Sequence, residues 1–252
     1  MTIPPARARR QSGFTLVELM VAVTIGLLLT VVIANLFLGS RRSYATTEDV
    51  SRMQENMRFA YQLLSRTIHL AGYRSSPNAI QSTVFAAPNV ALAGTEGSGT
   101  AADTITVRYQ GGGDSSGTAD GSIIDCSGQE IAPGVMATSS FSIANGADGQ
   151  PALFCNGANE SVPGVQNMQI LYGEDTSGDL IADRYVNVAA VANPENVVSV
   201  RLALLFQTPG AQAGTTVDTK TYDLLGTVVG PFNDMRVRRL LVLTVNLRNR
   251  TP

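Results

Sequence analysis

The feature that most constrains this chain is an uncharged, strongly apolar segment near its start. Residues 19–40 contain no Asp, Glu, Lys or Arg. At about 1.5 Å rise per residue, a helix of this length crosses the roughly 30 Å hydrocarbon core of a bilayer. Three arginines precede the segment between residues 7 and 10, and Arg41 and Arg42 follow it. Because the leader arginines come first, we predict one membrane-spanning helix with the rest of the chain on the outer side.

Glu18 is the acid at the start of this segment. An ionised carboxylate in hydrocarbon costs a few kcal/mol by insertion scales and normally has a partner. A cut between Gly13 and Phe14 would leave the new ammonium of Phe14 on the same helix face as Glu18. Two such helices with a small axial stagger would pair the ammonium of one with the carboxylate of the next. The pattern therefore predicts a helical polymer whose subunits are stored in a membrane.

The motif Gly13-Phe14-Thr15-Leu16-Val17-Glu18, between a basic leader and the apolar helix, resembles the class III signal of type IV pilins and type II secretion pseudopilins. In that family a prepilin peptidase cuts after the glycine and methylates the new phenylalanine. The resemblance implies cleavage between Gly13 and Phe14, N-methylation of Phe14, and an assembly role for Glu18. The alternative is an ordinary signal anchor with an isolated acid. Against that alternative, the apolar stretch lies after the cut, whereas in a removed secretory signal it lies before it.

The apolar helix continues as an amphipathic one. Apolar residues recur three or four positions apart, with charged residues mostly between them, and Gly72 supplies a stop signal. We therefore divide the chain into four parts: a leader, 1–13; a transmembrane and assembly helix, 14–40; the amphipathic half of the same helix, 41–73; and a β-rich periplasmic domain, 74–252. The predicted stripe consists of Val50, Met53, Met57, Ala60, Leu64, Ile68 and Ala71.

Short apolar stretches between turn signals fill the rest of the chain, as is typical of antiparallel strands. The stretch 197–206 is long and strongly apolar, so we expect it at the centre of the sheet, and we expect the final strand, 235–247, to enter the middle of the sheet. The fold class is therefore α+β, a long N-terminal transmembrane and amphipathic helix packed on an antiparallel β-sheet domain, which is also the pilin fold. The other predicted strands are 104–109, 122–126, 140–144, 152–155, 165–172, 186–191 and 219–225.

The amino-acid composition argues against two classes of function, nucleic-acid binding and catalysis. The chain has 18 basic and 20 acidic residues, and loss of the three leader arginines leaves 18 − 3 = 15 basic residues and a net charge of 15 − 20 = −5. This balance argues against a general affinity for nucleic acid. With one histidine, His69, and no zinc-ligand spacing, we predict no enzyme activity. Five arginines lie between residues 236 and 250. They fit a contact with a partner or with DNA, but we interpret them as solvated charges on a strand face.

Cys126 and Cys155 are the only cysteines, and both fall in the part placed outside the cytoplasm. In an oxidising periplasm such a pair is typical of a disulfide, worth on the order of 3 kcal/mol in the chain-entropy model. The alternative is two separately buried thiols.

The segment 175–183 places oxygen side chains at the first, third, fifth and ninth positions of a loop, Asp175, Ser177, Asp179 and Asp183. A calcium ion needs several convergent oxygens, and this spacing supplies them. However, Leu180 stands where the usual calcium loop has glycine, and no glutamate follows at its twelfth position. The two hypotheses are a calcium loop and an acidic hairpin turn, since Asp and Gly also favour turns. No other cofactor is predicted.

Within the superfamily, three stretches are similar to PilW-type minor pilins, residues 51–60, 68–73 and 244–250. The resemblance implies a protein that helps to initiate the type IV pilus at its tip, supporting piliation and twitching motility. Its implied partners are other minor and major pilins, the prepilin peptidase, the inner-membrane assembly platform and membrane lipid, with no specific nucleic acid. Its implied location is the bacterial inner membrane as a single-pass protein with a periplasmic domain, and then the pilus at the cell surface. The alternatives are a minor pseudopilin of type II secretion, with the J-type subunit nearest in layout, and a pilus-tip adhesin.

Overall fold

A computed structural model describes residues 13–76, 80–113, 117–211, 213–214 and 216–249. The predicted leader, apart from Gly13, lies outside these residues. The chain divides into two compact units, Met1–Ala45 and Thr46–Pro252, and each is described by itself. Helix α1, Leu16–His69, contributes to both.

In the first unit, every described side chain of α1 is exposed, and none is buried against another part of the chain. This part of α1 is long and apolar enough to cross a membrane, and no other helix among the described residues passes that test. An apolar helix with no buried face within its own chain requires another apolar environment, which lipid or a bundle of similar helices supplies.

In the second unit, one stripe of α1 lies in the core. Met53, Ala60, Leu64 and Ile68 are at most 2% exposed. The predicted stripe is therefore confirmed at these positions, whereas Val50 and Met57 are only partly buried. Ala71, the last predicted member, is 1% exposed but lies beyond the end of the helix. The helix ends at His69, and Gly72 then takes φ +73°, a left-handed conformation that favours glycine at a helix C-terminus.

The stripe packs against strands of two antiparallel sheets. The strands of the first sheet are β1 Leu92–Thr95, β2 Thr104–Gln110, β3 Met136–Asn145, β4 Pro151–Cys155 and β5 Asn159–Pro163. Those of the second are β6 Val165–Glu174, β7 Arg184–Val186, β8 Val197–Gln207 and β11 Arg238–Asn246. The first sheet has the order β1-β2-β3-β4-β5, and the second has the order β11-β8-β6-β7. The remaining elements are α2 Gln81–Val84, the 3₁₀ helices Val188–Ala190 and Pro194–Asn196, and the hairpin strands β9 Tyr222–Leu224 and β10 Thr227–Val229.

Two apolar clusters fill the domain. The main cluster contains the α1 stripe together with inward residues of both sheets, among them Phe141, Leu202 and Phe206. A smaller cluster joins Ala203 and Leu205 of β8 to the β9–β10 hairpin. Because successive side chains of a strand point to opposite faces, β8 supplies both clusters and is buried throughout most of its length. The predicted α+β fold and the central position of this strand are confirmed.

Three strand predictions were wrong in part. The segment 122–126 is not a strand, because the Asp125 carboxylate accepts hydrogen bonds from the N–H groups of Ser127 and Gln129 and closes a turn. The segment 186–191 leaves the sheet after Val186, because the Asn187 side chain caps a 3₁₀ helix by accepting the Ala190 N–H.

The third strand prediction that was wrong in part concerns the final strand, 235–247. β11 pairs only with β8 and lies at the edge of its sheet, not in the middle. Its odd-numbered residues Leu243 and Val245 face the core, while Leu240 and Val242 are exposed. The apolar run therefore does not mean burial on both faces.

Candidate functional site

The start of α1 is built as a capping box. Thr15 precedes the first helical residue, and its Oγ1 accepts the Glu18 N–H at 3.2 Å. Glu18 Oε2 in turn accepts the Thr15 N–H at 3.0 Å and the Thr15 hydroxyl at 2.9 Å. These bonds satisfy backbone donors that have no partner within the helix. The signature Thr-x-x-Glu is readable in the sequence, and our sequence analysis missed it.

Gly13 and Phe14 lie just outside the helix and are exposed. The peptide bond between them, the predicted cleavage site, is therefore in non-helical backbone one residue before the cap. Glu18 is anchored by its own chain, yet a carboxylate has about four lone-pair sites. Capacity for a further donor therefore remains, which the predicted pairing with a Phe14 ammonium requires.

The end of α1 meets the end of the chain's last strand. His69 Nδ1 lies 2.8 Å from the Asn246 carbonyl oxygen, and Asn249 Nδ2 donates to the His69 carbonyl at 3.0 Å. Two of the three stretches that carry the resemblance, 68–73 and the described part of 244–250, are thus hydrogen-bonded to each other. These two stretches therefore form one structural joint between the helix and the sheet.

The predicted disulfide is confirmed between Cys126 and Cys155. Cys155 is fully buried in β4, so the bridge attaches the loop before β3 to the core. The same loop is held by a polar network in which the Cys126 N–H donates to Ser139 Oγ at 3.1 Å and the Tyr109 hydroxyl donates to the Ile124 carbonyl at 3.2 Å. Burial raises the pKa of Tyr109, so this hydroxyl stays protonated as a donor.

In the acidic loop 175–183 the carboxylates accept hydrogen bonds from the loop itself. Asp175 accepts the N–H groups of Gly178 at 2.6 Å and Leu180 at 2.8 Å. Asp183 accepts both the N–H and the hydroxyl of Thr176 at 2.7 Å. Burial acts to raise the pKa of Asp175, but the N–H donors outweigh it and the pKa is lowered. The Thr176 hydrogen bonds likewise lower the pKa of Asp183. Both carboxylates are therefore ionised acceptors that close the turn.

The same loop holds Leu180 at φ +64°, a conformation that is uncommon for a residue other than glycine. This is the position at which the usual calcium loop has glycine, so the backbone takes the expected left-handed form without the expected residue. Among the described residues, no three or more His, Cys, Asp or Glu side chains come together as a metal site. Calcium binding by Asp175, Ser177, Asp179 and Asp183 stays a prediction.

A buried carboxylate, Glu174, sits beside this loop. Its Oε2 accepts the Arg184 guanidinium at 2.7 Å, and its Oε1 accepts the Ala192 N–H at 2.8 Å. Burial acts to raise the pKa of Glu174, but these donors outweigh it and the pKa is lowered. Glu174 therefore joins β6, β7 and the segment before β8 as long as it is ionised.

The C-terminal arginines differ from one another. The Arg238 side chain is 1% exposed and is paired with Asp234 at 2.6 Å and Asp218 at 3.1 Å, with its guanidinium 4.0 Å from the centre of the Phe232 ring. The interpretation of all five arginines as solvated charges was wrong for Arg238, because its carboxylate partners come from loops whose position the sequence does not reveal. Arg236 is partly buried and donates to the carbonyls of Thr208 and Pro209, whereas Arg239 and Arg248 are exposed. Arg250 lies outside the described residues.

Comparisons with known proteins give two family matches and a similar solved structure. The family model described as Type IV Pilus-assembly protein W matches residues 140–249, and the model described as Prokaryotic N-terminal methylation motif matches residues 8–34. No curated protein matches the chain. A solved type IV-like pilin from Thermus thermophilus is 18% identical, with a TM-score of 0.43 over 80% of this chain and 100% of the pilin.

The first match spans β3 to β11, including the strand joined to the end of α1, and the second contains the capping box. Together the two matches confirm the predicted resemblance to type IV pilin-like proteins of the PilW type. The chain is therefore similar to type IV pilin-like proteins, through an N-terminal methylation motif and a C-terminal region that matches the pilus-assembly protein W family.

Proposed function

We propose that this protein is a minor pilin that is cleaved between Gly13 and Phe14 by a prepilin peptidase, is N-methylated at Phe14, and helps to initiate type IV pilus assembly. The observation that carries the proposal is the exposed apolar half of α1 with one carboxylate, Glu18, fixed at its capped start. The match to the pilus-assembly protein W family supports the minor rather than the major role.

In this mechanism the apolar helix first resides in the inner membrane with the domain in the periplasm. Cleavage creates an ammonium group at Phe14. The ammonium of one subunit then pairs with Glu18 of its neighbour as the helices bundle. Because an unpaired charge in an apolar bundle costs several kcal/mol, the pair selects one axial stagger among many that would bury similar apolar area. The role of the chain is structural, and we expect no catalytic activity.

The partners are other minor and major pilins, the prepilin peptidase, the assembly platform of the inner membrane and membrane lipid. A priming complex of this kind would support surface piliation and twitching motility. The methylation motif by itself fits type II secretion equally well, so the decisive test must report on both systems.

The test is deletion of the gene in its host, with surface pili counted by electron microscopy with and without the retraction motor and secreted enzymes assayed in the same cultures. Loss of pili, or their recovery only when retraction is blocked, is the expected result. Normal pili with secretion abolished would instead identify a minor pseudopilin. Normal pili and secretion with loss of surface attachment would favour the adhesin.

Complementation of the deletion then separates the two tasks of Glu18. Glu18→Gln keeps a capping side chain but removes the charge, whereas Thr15→Ala removes the cap and keeps the charge. If the pairing mechanism is right, Glu18→Gln and Glu18→Ala both fail to enter pili while Thr15→Ala enters them. Wild-type incorporation of Glu18→Gln would show that only the cap matters.

A further inference from the structure

The open side of β11 is the longest unpaired strand edge among the described residues. β11 runs antiparallel to β8 over its whole length, from Arg238 opposite Gln207 to Asn246 opposite Ser199, and no described strand pairs with its other side. The opposite edge of the same sheet is β7, which spans only Arg184–Val186. The domain thus covers one edge with a short strand and leaves a long one open.

The hydrogen-bond register shows which groups face outward. The Leu247 N–H donates to the Val198 carbonyl at 2.8 Å, so odd-numbered residues of β11 direct their N–H and C=O groups toward β8. Even-numbered residues direct theirs away, and the Asn246 carbonyl accordingly faces His69 on the far side from β8. The N–H and C=O groups of Leu240, Val242 and Thr244 therefore point to the open side, where the described residues offer them no hydrogen-bond partner.

The side chains of the same residues add an apolar surface. Val242 is 49% exposed and Leu240 is 36% exposed. They lie opposite Ala203 and Leu205 of β8, which the β9–β10 hairpin covers. A strand added beside β11 would extend this face of the sheet. It would bind through hydrogen bonds to the open backbone groups of β11 and through apolar side chains, at alternating positions, against Leu240 and Val242.

The positive charge around β11 favours a different protein over a second copy of this chain as the partner of this edge. The exposed Arg239 and Arg248 flank the open stretch, and Arg201 of β8 adds a third cation by donating to Thr244 Oγ1 at 3.3 Å. The segment 235–249 contains no Asp or Glu. Pairing of two copies through β11 would bring these cations together without a compensating acid, and like charges across strands are destabilising.

We infer that β11 is a docking edge for an extended segment of another protein, with apolar residues at alternating positions and acidic residues at its ends. The segment adds one strand to the β11-β8-β6-β7 sheet and places its acids near Arg239 and Arg248. This inference goes beyond the proposed function and does not depend on cleavage or on pilus assembly.

The test uses the full chain in nonionic detergent and a synthetic peptide of about ten residues, long enough to pair with β11, that alternates Val and Thr between terminal aspartates. Amide hydrogen exchange of Leu240, Val242 and Thr244 should be fast in the free chain and slow by roughly tenfold or more with the peptide bound. A peptide with lysines in place of the aspartates should bind roughly tenfold more weakly, because it meets like charges.

Variants supply the control. Val242→Lys should weaken peptide binding at least about tenfold, since a charged side chain on an edge opposes strand addition. Val135→Lys, at a valine 51% exposed in the loop before β3, should leave binding unchanged. Leu240→Lys repeats the test if Val242→Lys does not fold.

Four results would overturn the inference. Amides protected in the free chain at every concentration would mean that the chain covers its own edge, and protection that grows with protein concentration would mean a second copy. Equal binding of both peptides would refute the acidic partner. Equal binding by Val242→Lys and Val135→Lys would refute the edge itself.

Discussion

Removal of the Cys126–Cys155 bridge should cost the domain a calculable part of its stability. The cysteines are 29 positions apart, and the chain-entropy relation then gives about 3.6 kcal/mol at 25 °C. We expect the double variant Cys126→Ala, Cys155→Ala to lose about this much unfolding free energy. Alanine is chosen because Cys155 is fully buried and a serine hydroxyl there would add a separate cost.

The assay is urea unfolding of Thr46–Pro252, the unit that contains the core, followed by circular dichroism. Wild-type protein in a thiol reductant is the matched control and should lose a similar amount. Amide exchange should also rise in the loop that contains Ile124, since the bridge holds it to β4. A loss below about 1 kcal/mol, with the bridge verified by mass in the wild type, would refute the argument that loop closure stabilises this domain.

Four other predictions concern the same unit. Leu64→Ala should lower the unfolding free energy by about 3–5 kcal/mol because Leu64 is fully buried, and the partly buried Leu63 should lose less when changed to alanine; equal losses in urea unfolding would contradict this. Arg238→Ala should cost about 3–5 kcal/mol in the same assay, since it leaves two carboxylates without their cation, and a neutral effect would refute that. The pKa of Glu174 lies below its ordinary value of 4.5, so the ionised carboxylate stabilises the folded domain fully above pH 4.5, and this stabilisation is lost as the pH falls through the lowered pKa. The unfolding free energy of Glu174→Gln should therefore decline less steeply with acid than that of the wild type. Parallel curves of unfolding free energy against pH would contradict this prediction. Calcium binding by the loop 175–183 predicts heat on calorimetric titration and a higher melting temperature, and their absence would make the loop only a turn.

The parts of the fold that the sequence predicted are those set by local periodicity. The spacing of Met53, Ala60, Leu64 and Ile68 identifies a buried helix face without any knowledge of what covers it. Three strands were not predicted at all. Leu92–Thr95 is short and contains glycine, Asn159–Pro163 is polar, and Thr227–Val229 has only three residues, too few to show the alternation of a half-buried strand.

The position of β11 shows where local reasoning ends. The run Leu240-Leu241-Val242-Leu243 is apolar at every position, as in a strand buried on both faces. Whether a strand lies at the centre or the edge depends on which others pair with it, and that is decided by residues far away in the chain. The burial of Arg238 has the same origin, since Asp218 lies in a separate loop. At the candidate site, Glu18 was identifiable from its short spacing to Gly13 and Phe14, and the disulfide was identifiable because Cys126 and Cys155 are the only two cysteines.

The capping box also sets where the helix begins relative to the proposed cleavage site. In a helix the backbone carbonyls are engaged and the chain is coiled, so a protease must first unwind the bond that it cuts. Here the helix begins at Leu16, and the bond after Gly13 remains outside it. If the proposed cleavage takes place, Thr15 and Glu18 separate the bond that is cut, which lies in non-helical backbone between Gly13 and Phe14, from the helix that begins at Leu16.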